Sequence, residues 1–420
     1  MSATDCRALR FRDVLQLREF RWLWLADIQS LLGDQLARVA LSVLVFDRTR
    51  SGLLTAGVYA LTYLPALAGL VLGVLADRVP RRAMLVGGDL VRAVLLATMA
   101  INVVPLGAVA ALLVLVVAVG APWKAAESAL VADILTGEGY ALGTGLRVAT
   151  VQAAQLVGFA VGGAVVAGVG ARPALAVDAV TFAVSAVVIR ITVRQRPAAQ
   201  SARPGTGTAG WNEGLLVISR SRYLRALVGL AWLAGVFVVP EGLAAPYAAA
   251  LHGGPSTVGL LLASAPAGVL IGSLLFVRLR GESSRARWVV PLAVAAGIPL
   301  VLSGLRPGLP VTMVLWAASG ACMAYQVQII TEFVAAVPDR VRGQAIAVAS
   351  SGLLAAQGIG LFIGGLVAQA WSVPGAIAVA GALGSLVALG LGVTRRRGYL
   401  ARAAPPTLSR GGSGAQPTGS

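Results

Sequence analysis

The sequence has 420 residues, 57% of them hydrophobic and 12% charged, with a mean hydropathy of +0.83. Soluble domains carry about a quarter charged residues, so a soluble globular protein is excluded and an integral membrane protein is expected. The net charge of +17 needs no nucleic-acid partner, because cytosolic loops of membrane proteins collect arginine and lysine.

With the N-terminus inside, 26 of the 34 basic residues fall in cytosolic segments, four in external loops (Arg48, Arg50, Arg172, Arg306) and four within spans or at their edges (Arg38, Arg92, Lys124, Arg147). Residues 1–21 read as a cytosolic segment rich in arginine. The apolar run that follows is too long for a secretory signal and lacks its cleavage site, so it is a retained first span with Trp22 and Trp24 as anchors. Crossing ~30 Å of hydrocarbon takes about 20 residues of helix. Runs of that length predict twelve spans, near 22–46, 52–76, 83–102, 105–134, 146–169, 173–193, 225–250, 257–279, 288–305, 310–336, 344–370 and 374–394. The expected architecture is all-α, a six-helix bundle over 22–193, a cytosolic linker over 194–224 rich in Pro, Gly and Arg, and a second six-helix bundle over 225–394. The segment 395–420 reads as a disordered cytosolic tail.

An internal repeat supports the division. Ala153-Ala154-Gln155-x-x-Gly158-x-x-x-Gly162-Gly163 recurs as Ala355-Ala356-Gln357-x-x-Gly360-x-x-x-Gly364-Gly365, displaced by 202 residues, and Pro65-Ala66 recurs as Pro266-Ala267, displaced by 201. Paired halves of this kind place a substrate site at their interface near the midplane. The glycine faces allow close helix contact, and packing is their expected use.

Enzyme and motor signatures are absent from the sequence. The single lysine, Lys124, sits outside any phosphate-binding loop pattern, so transport would draw on an ion gradient or on the substrate's own gradient. Cys6 and Cys322, with the lone His252 in a loop, offer neither a disulfide framework nor a metal cluster. No metal or cofactor is expected.

Ionisable groups at membrane depth cost ~2.5 to 3.5 kcal/mol each, which makes each one a functional candidate. Asp34 lies 12 residues beyond Trp22, a depth of about 18 Å, and Arg38 follows one turn later on the same face. In the seventh span Glu241, beside Pro240, reaches a similar depth. These three residues are expected to face one another across a central cavity, with Asp34 or Glu241 carrying a coupling proton. A buried carboxyl group holds its proton differently as an arginine approaches or withdraws, and a static ion pair is the structural alternative. Gln155, Gln357, Tyr325, Gln326 and Trp232 are further candidates for ligand contact. Asp89 with Arg92, Lys124 with Glu127, Asp178 and Glu332 read as packing or gate residues.

One charged turn resembles a known family. Gly73-x-Leu75-Ala76-Asp77-Arg78-x-x-Arg81-Arg82 is similar to the signature loop between the second and third helices of the major facilitator superfamily. Asp89-Leu90-x-Arg92-Ala93 and Pro338-Asp339-Arg340-x-Arg342-Gly343-Gln344 resemble the branch containing enterobactin exporters and macrolide-efflux permeases. Pro80 replaces the loop's usual second glycine, and the fifth span lacks the Gly-Pro of many drug/proton exchangers. The resemblance implies a monomeric secondary active transporter of the cytoplasmic membrane, with both termini cytosolic. It would export a small amphipathic molecule, an antibiotic, siderophore or related metabolite, in exchange for protons. An importer or facilitator on the same fold is the alternative, and a membrane scaffold or sensor the alternative of another class. Asp77 can accept from free amides at the N-terminus of the eleventh span near Gly343. Arg81 or Arg82 can reach Glu127 or Asp133, and together these contacts would form a cytosolic latch.

Overall fold

The computed structural model describes residues 11–63, 79–196, 211–279 and 281–403, and these contain helices and connections but no strand. Eleven of the helices are long and apolar enough to cross a membrane, and the shorter apolar helix Gly52–Leu61 occupies the place of the second span. The remainder of that predicted span, with Asp77, Arg78 and Pro65, lies outside the described residues.

The first six spans are Arg18–Thr49, Gly52–Leu61, Arg81–Ala100, Leu106–Ile134, Glu138–Val169 and Ala171–Thr192. Short turns fix their antiparallel order. Ser51 caps the second span by accepting from the Leu54 amide, and Gly170, at φ 88°, turns the chain between the fifth and sixth spans in a single residue. That left-handed backbone suits glycine because it has no Cβ to clash.

The last six begin with a broken span. The seventh runs as Arg222–Trp232, Ala234–Phe237, Val239–Gly242 and Ala244–Ala250, with Pro240 and Pro246 each unable to supply a helical amide. Then follow Pro255–Val277, Glu282–Ala295 with Gly297–Ser303, Leu309–Cys322 with Tyr325–Ala336, Arg342–Ala370 and Val373–Ala403. The apolar windows of the first and seventh spans are 67% and 72% buried, against 6% to 44% for the other candidate spans. These two therefore run through the middle, while side chains such as Val94, Ile191, Leu274 and Val314 face outward, where lipid would meet them.

The glycine repeat serves packing, in two matching ways. Gly162 meets Leu36 of the first span, and Gly364 meets Val239 of the seventh. Their neighbours reach across between the two sets of six. A Cβ on Gly163 would lie 2.7 Å from the Gly259 Cα, and one on Gly365 would lie 3.0 Å from the Ala56 Cβ. Ser51 adds a hydrogen bond to Gln369 at 3.1 Å. These crossing contacts gather at the end of the molecule away from the arginine-rich connections. Gly163→Val is expected to wedge the fifth and eighth spans apart and cost about 1 to 3 kcal/mol, as overpacking does. Thermal melts of the purified protein check this, with Gly168→Val as the unaffected control, since nothing lies within 4 Å of a Cβ there.

Three sequence expectations need correction. Arg172 is buried instead of solvated in a loop. It donates to the carbonyls of Met99, Ile101 and Val104, closing the turn after the third span. The linker contains a helix, Trp211–Arg220, whose Gly214 sits so close to the eleventh span that a Cβ would be 2.8 Å from the Gln344 carbonyl carbon. The twelfth span continues to Ala403, and Arg395, assigned from sequence to a disordered tail, is buried in an ion pair with Glu332. Hydropathy places a charged residue at a span's end, but a buried acid can draw that residue inward.

Candidate functional site

The first span presents Asp27, Ser30, Asp34 and Arg38 along one face, spaced at three and four residues as one side of a helix requires. All four line a cavity of 320 Å³, together with Tyr63, Arg92, Lys124, Asp178 and Leu354. Three acids and three bases thus share one cavity, and the formal charges balance. Leu354 closes the wall from the eleventh span.

Arg38 is the centre of this arrangement. Its guanidinium lies 5.9 Å from the Tyr63 ring centroid, a cation–π contact, and it is within electrostatic reach of Tyr59, Asp34 and Glu241. Glu241 accepts a hydrogen bond from the Tyr59 hydroxyl at 3.1 Å, and the Tyr63 phenol stands close by. The sequence brought Asp34, Arg38 and Glu241 to similar depths; the fold brings them to one neighbourhood and adds the two tyrosines. Those tyrosines were missed because their phenols carry no charge at neutral pH.

Glu241 also lines a smaller cavity of 120 Å³ with Gln152, Gln155, Gln357, Trp316 and Ser319. Gln155 and Gln357, equivalent positions of the repeat, therefore meet at one chamber. Trp232, Tyr325 and Gln326 line neither cavity. Trp232 donates to the Ala349 carbonyl at 2.9 Å, Tyr325 to Leu230 and Gln326 to Ala231, both at 3.0 Å. Their polar atoms are committed to backbone, two of them to the end of the first helical piece of the seventh span. A break in a helix frees carbonyls that must find donors in a membrane.

Other charged side chains surround the larger cavity. Arg92 bonds Asp89 at 2.5 Å and lies between the rings of Trp123 and Phe182, 4.7 and 4.3 Å from their centroids. Asp89 accepts from Ser185 at 2.7 Å. Arg92 forms cavity wall, and Asp89 stands behind it. Asp178, read from sequence as packing, faces the same cavity with one carboxylate oxygen buried and unpaired among the described residues. Glu127 is held by Arg147 at 2.5 Å and approached by Lys124 at 3.6 Å, and Arg147 also lies 4.0 Å from Asp27. The signal for Arg147 was present in its charge, but no spacing connects residue 147 to residue 27.

At the arginine-rich end Arg81 pairs with Asp133, as expected for one of the two acids, and Arg82 donates to the Arg190 carbonyl. Gly343 opens the eleventh span with nothing within 4 Å of a Cβ placed on it, and Arg342 pairs with Asp339 beside it. Their predicted partner Asp77, with Arg78, lies outside the described residues. An apolar pocket of 600 Å³ opens between the second and eleventh spans, lined by Leu53, Leu61, Ile359 and Phe362, and it shares Tyr63 and Leu354 with the charged cavity.

This architecture has known counterparts. The chain is similar to a solved mutant of the nucleoside transporter NupG, with a TM-score of 0.73 at 14% identity over 90% of this chain and 99% of that one. It is also similar to a POT family transporter solved with 5-aminolevulinic acid, with a TM-score of 0.71 at 12% identity over 91% and 96% of the two chains. These likenesses concern the fold. In sequence, the chain is 27% identical over 365 residues to the multidrug efflux pump Tap of Mycobacterium tuberculosis, covering 82% of this chain and 86% of that protein. The uncharacterized MFS-type transporter YkuC of Bacillus subtilis is 28% identical over 234 residues, 51% of this chain and 53% of that one. Residues 14–398 match the family described as transmembrane secretion effector. The chain therefore belongs to that family of the major facilitator superfamily and is a multi-pass small-molecule transporter of the cell membrane, not an enzyme.

Proposed function

We propose that the protein exports a small amphipathic molecule in exchange for protons, by alternating access between a bundle formed by 22–193 and one formed by 225–394. The observation that carries this reading is the hydrogen bond from Tyr59 of the second span to Glu241 of the seventh, with Arg38 of the first span within electrostatic reach. It joins the two sets of six spans through a side-chain hydrogen bond. An ionised Glu241 draws Arg38 and both phenols toward it. Protonation removes that attraction and frees the bundles to part, while parting changes the distance to Arg38 and so the hold on the proton. Asp34, one turn from Arg38, is the second carboxyl available for the same work.

The adjoining chambers fit an amphipathic ligand. Polar groups would lie against Asp34 and Arg38, while an apolar body would lie along Leu61, Ile359 and Phe362, in a combined space of drug-like size. Export is favoured by the efflux function in the name of the mycobacterial relative, and the arginine-rich end is assigned to the cytosol by the positive-inside rule. In that orientation both termini are cytosolic, Asp77 and Gly343 form a cytosolic latch, and one chain supplies a complete transport unit.

Purified protein in sealed vesicles with an acidic lumen tests the assignment, using a panel of macrolides, siderophores and cationic dyes. A member of the panel is expected to accumulate inside as protons leave, and a protonophore should collapse that accumulation. Flux in the same direction as the protons would identify an importer. Absence of gradient-driven flux across the panel would favour a scaffold or sensor.

A further inference from the structure

A groove of 620 Å³ lies between the ninth and twelfth spans at the arginine-rich end, away from the transport cavity, and is lined by Ala286, Arg287, Val290, Leu389, Gly392, Val393, Arg395 and Arg396. Its composition is divided. Toward the middle of the membrane the walls are Val290, Leu389 and Val393, and Leu389 and Val393 are half exposed on the outer surface of the twelfth span. Toward the end of the span come Arg287 and Arg396, both exposed. Leu389, Val393 and Arg396 are spaced at four and three residues, so a single outward stripe of helix runs from apolar to cationic.

The arginines do not play equal parts. Arg395 is buried and belongs to the protein, bound to Glu332 at 2.5 Å and donating to the Ala286 carbonyl at 3.1 Å across the floor of the groove. Its charge is already matched. Arg287 and Arg396 form no ion pair with any carboxylate among the residues whose side chains are described, Glu282 lying outside them, and both stand on the rim of an otherwise apolar channel. Gly392 sets the depth, since a Cβ there would lie 2.5 Å from Val290. Close approach of the two helices leaves a narrow slot with its open side toward the bilayer.

We propose that this groove holds an anionic phospholipid, with its phosphate between Arg287 and Arg396 and an acyl chain along Val290, Leu389 and Val393. The charge of the rim selects an anionic headgroup over a zwitterionic one, and the apolar wall selects a lipid over a free anion. A guanidinium offers two parallel donors to a phosphate, and basic pockets between spans suit anionic headgroups.

Native mass spectrometry of the full-length protein tests this after reconstitution in bilayers of phosphatidylethanolamine with added phosphatidylglycerol or cardiolipin. Wild type is expected to retain an anionic lipid in preference to phosphatidylethanolamine. Each basic residue near an anionic surface is worth roughly a fivefold change in affinity, so the double variant Arg287→Gln and Arg396→Gln should lose about 30-fold. Arginine-to-lysine changes at both positions should retain most of the binding. A separate variant, Val290→Trp, fills the slot without altering charge and should also release the lipid. Undiminished retention in the glutamine variant or in Val290→Trp would overturn the proposal. So would equal retention of phosphatidylethanolamine by the wild type.

Discussion

Glu241→Gln abolishes transport driven by a pH gradient and spares substrate exchange: that is the expected result if the carboxyl group carries the coupling proton. Glutamine keeps the size of the side chain and still accepts from Tyr59, which donates to Glu241 at 3.1 Å in the wild type. What it loses is the ability to alternate between charged and neutral. A hydrogen bond to a charged group is worth about 1.5 to 3 kcal/mol, and gradient-driven flux should fall on the order of 100-fold. Exchange of labelled for unlabelled substrate across the vesicle membrane needs no net proton movement and should persist. Asp34→Asn separates the two candidate carriers. If gradient-driven flux survives Glu241→Gln but not Asp34→Asn, the proton resides on the first span, and if it survives both, neither acid carries it.

A second large effect is expected far from the cavity, at Arg395. Its guanidinium contacts Glu332 at 2.5 and 3.1 Å, and the same carboxylate accepts from Tyr223 at 2.8 Å and from Gln328 at 3.2 Å. These bonds tie the seventh, tenth and twelfth spans together. Arg395→Met leaves Glu332 buried without its counter-ion and should cost ~3 to 5 kcal/mol, the usual penalty for removing one member of a buried pair. Adding Glu332→Met removes the stranded charge and should restore most of the loss, because well-packed apolar replacements of buried pairs are often tolerated. Thermal unfolding of the single and double variants in detergent is the measurement. A double variant no more stable than Arg395→Met would mean that the arginine's bond to the Ala286 carbonyl, at 3.1 Å, matters more than its pairing.

Much of the fold was legible because a membrane imposes a simple rule on length and hydropathy. The exceptions share a cause. Arg172 and Arg395 were placed in solvent because each stands at the edge of an apolar run, whereas the atoms that hold them belong to residues 73 and 63 positions away in sequence. Depth was also readable, so Asp34, Arg38 and Glu241 could be set at one level. Facing was harder to read. Trp232, Tyr325 and Gln326 have side chains suited to a ligand, yet Trp232 donates to a carbonyl of the eleventh span, and Tyr325 and Gln326 to carbonyls at the break in the seventh. Asp178 illustrates the converse, since its contact with the cavity depends on how Gly33 admits the sixth span against the first. A Cβ at Gly33 would lie within 3.1 Å of the Asp178 carboxyl carbon.

The single lysine of the chain, Lys124, lines the charged cavity with its side chain 53% exposed. Apart from an α-amino group, no other primary amine competes for an acylating reagent. A membrane-impermeant activated ester added to one face of oriented vesicles would therefore mark one position without any engineered cysteine. The rate of labelling would then record how long the cavity stays open to that face, giving the unmodified transporter a built-in clock for its own cycle.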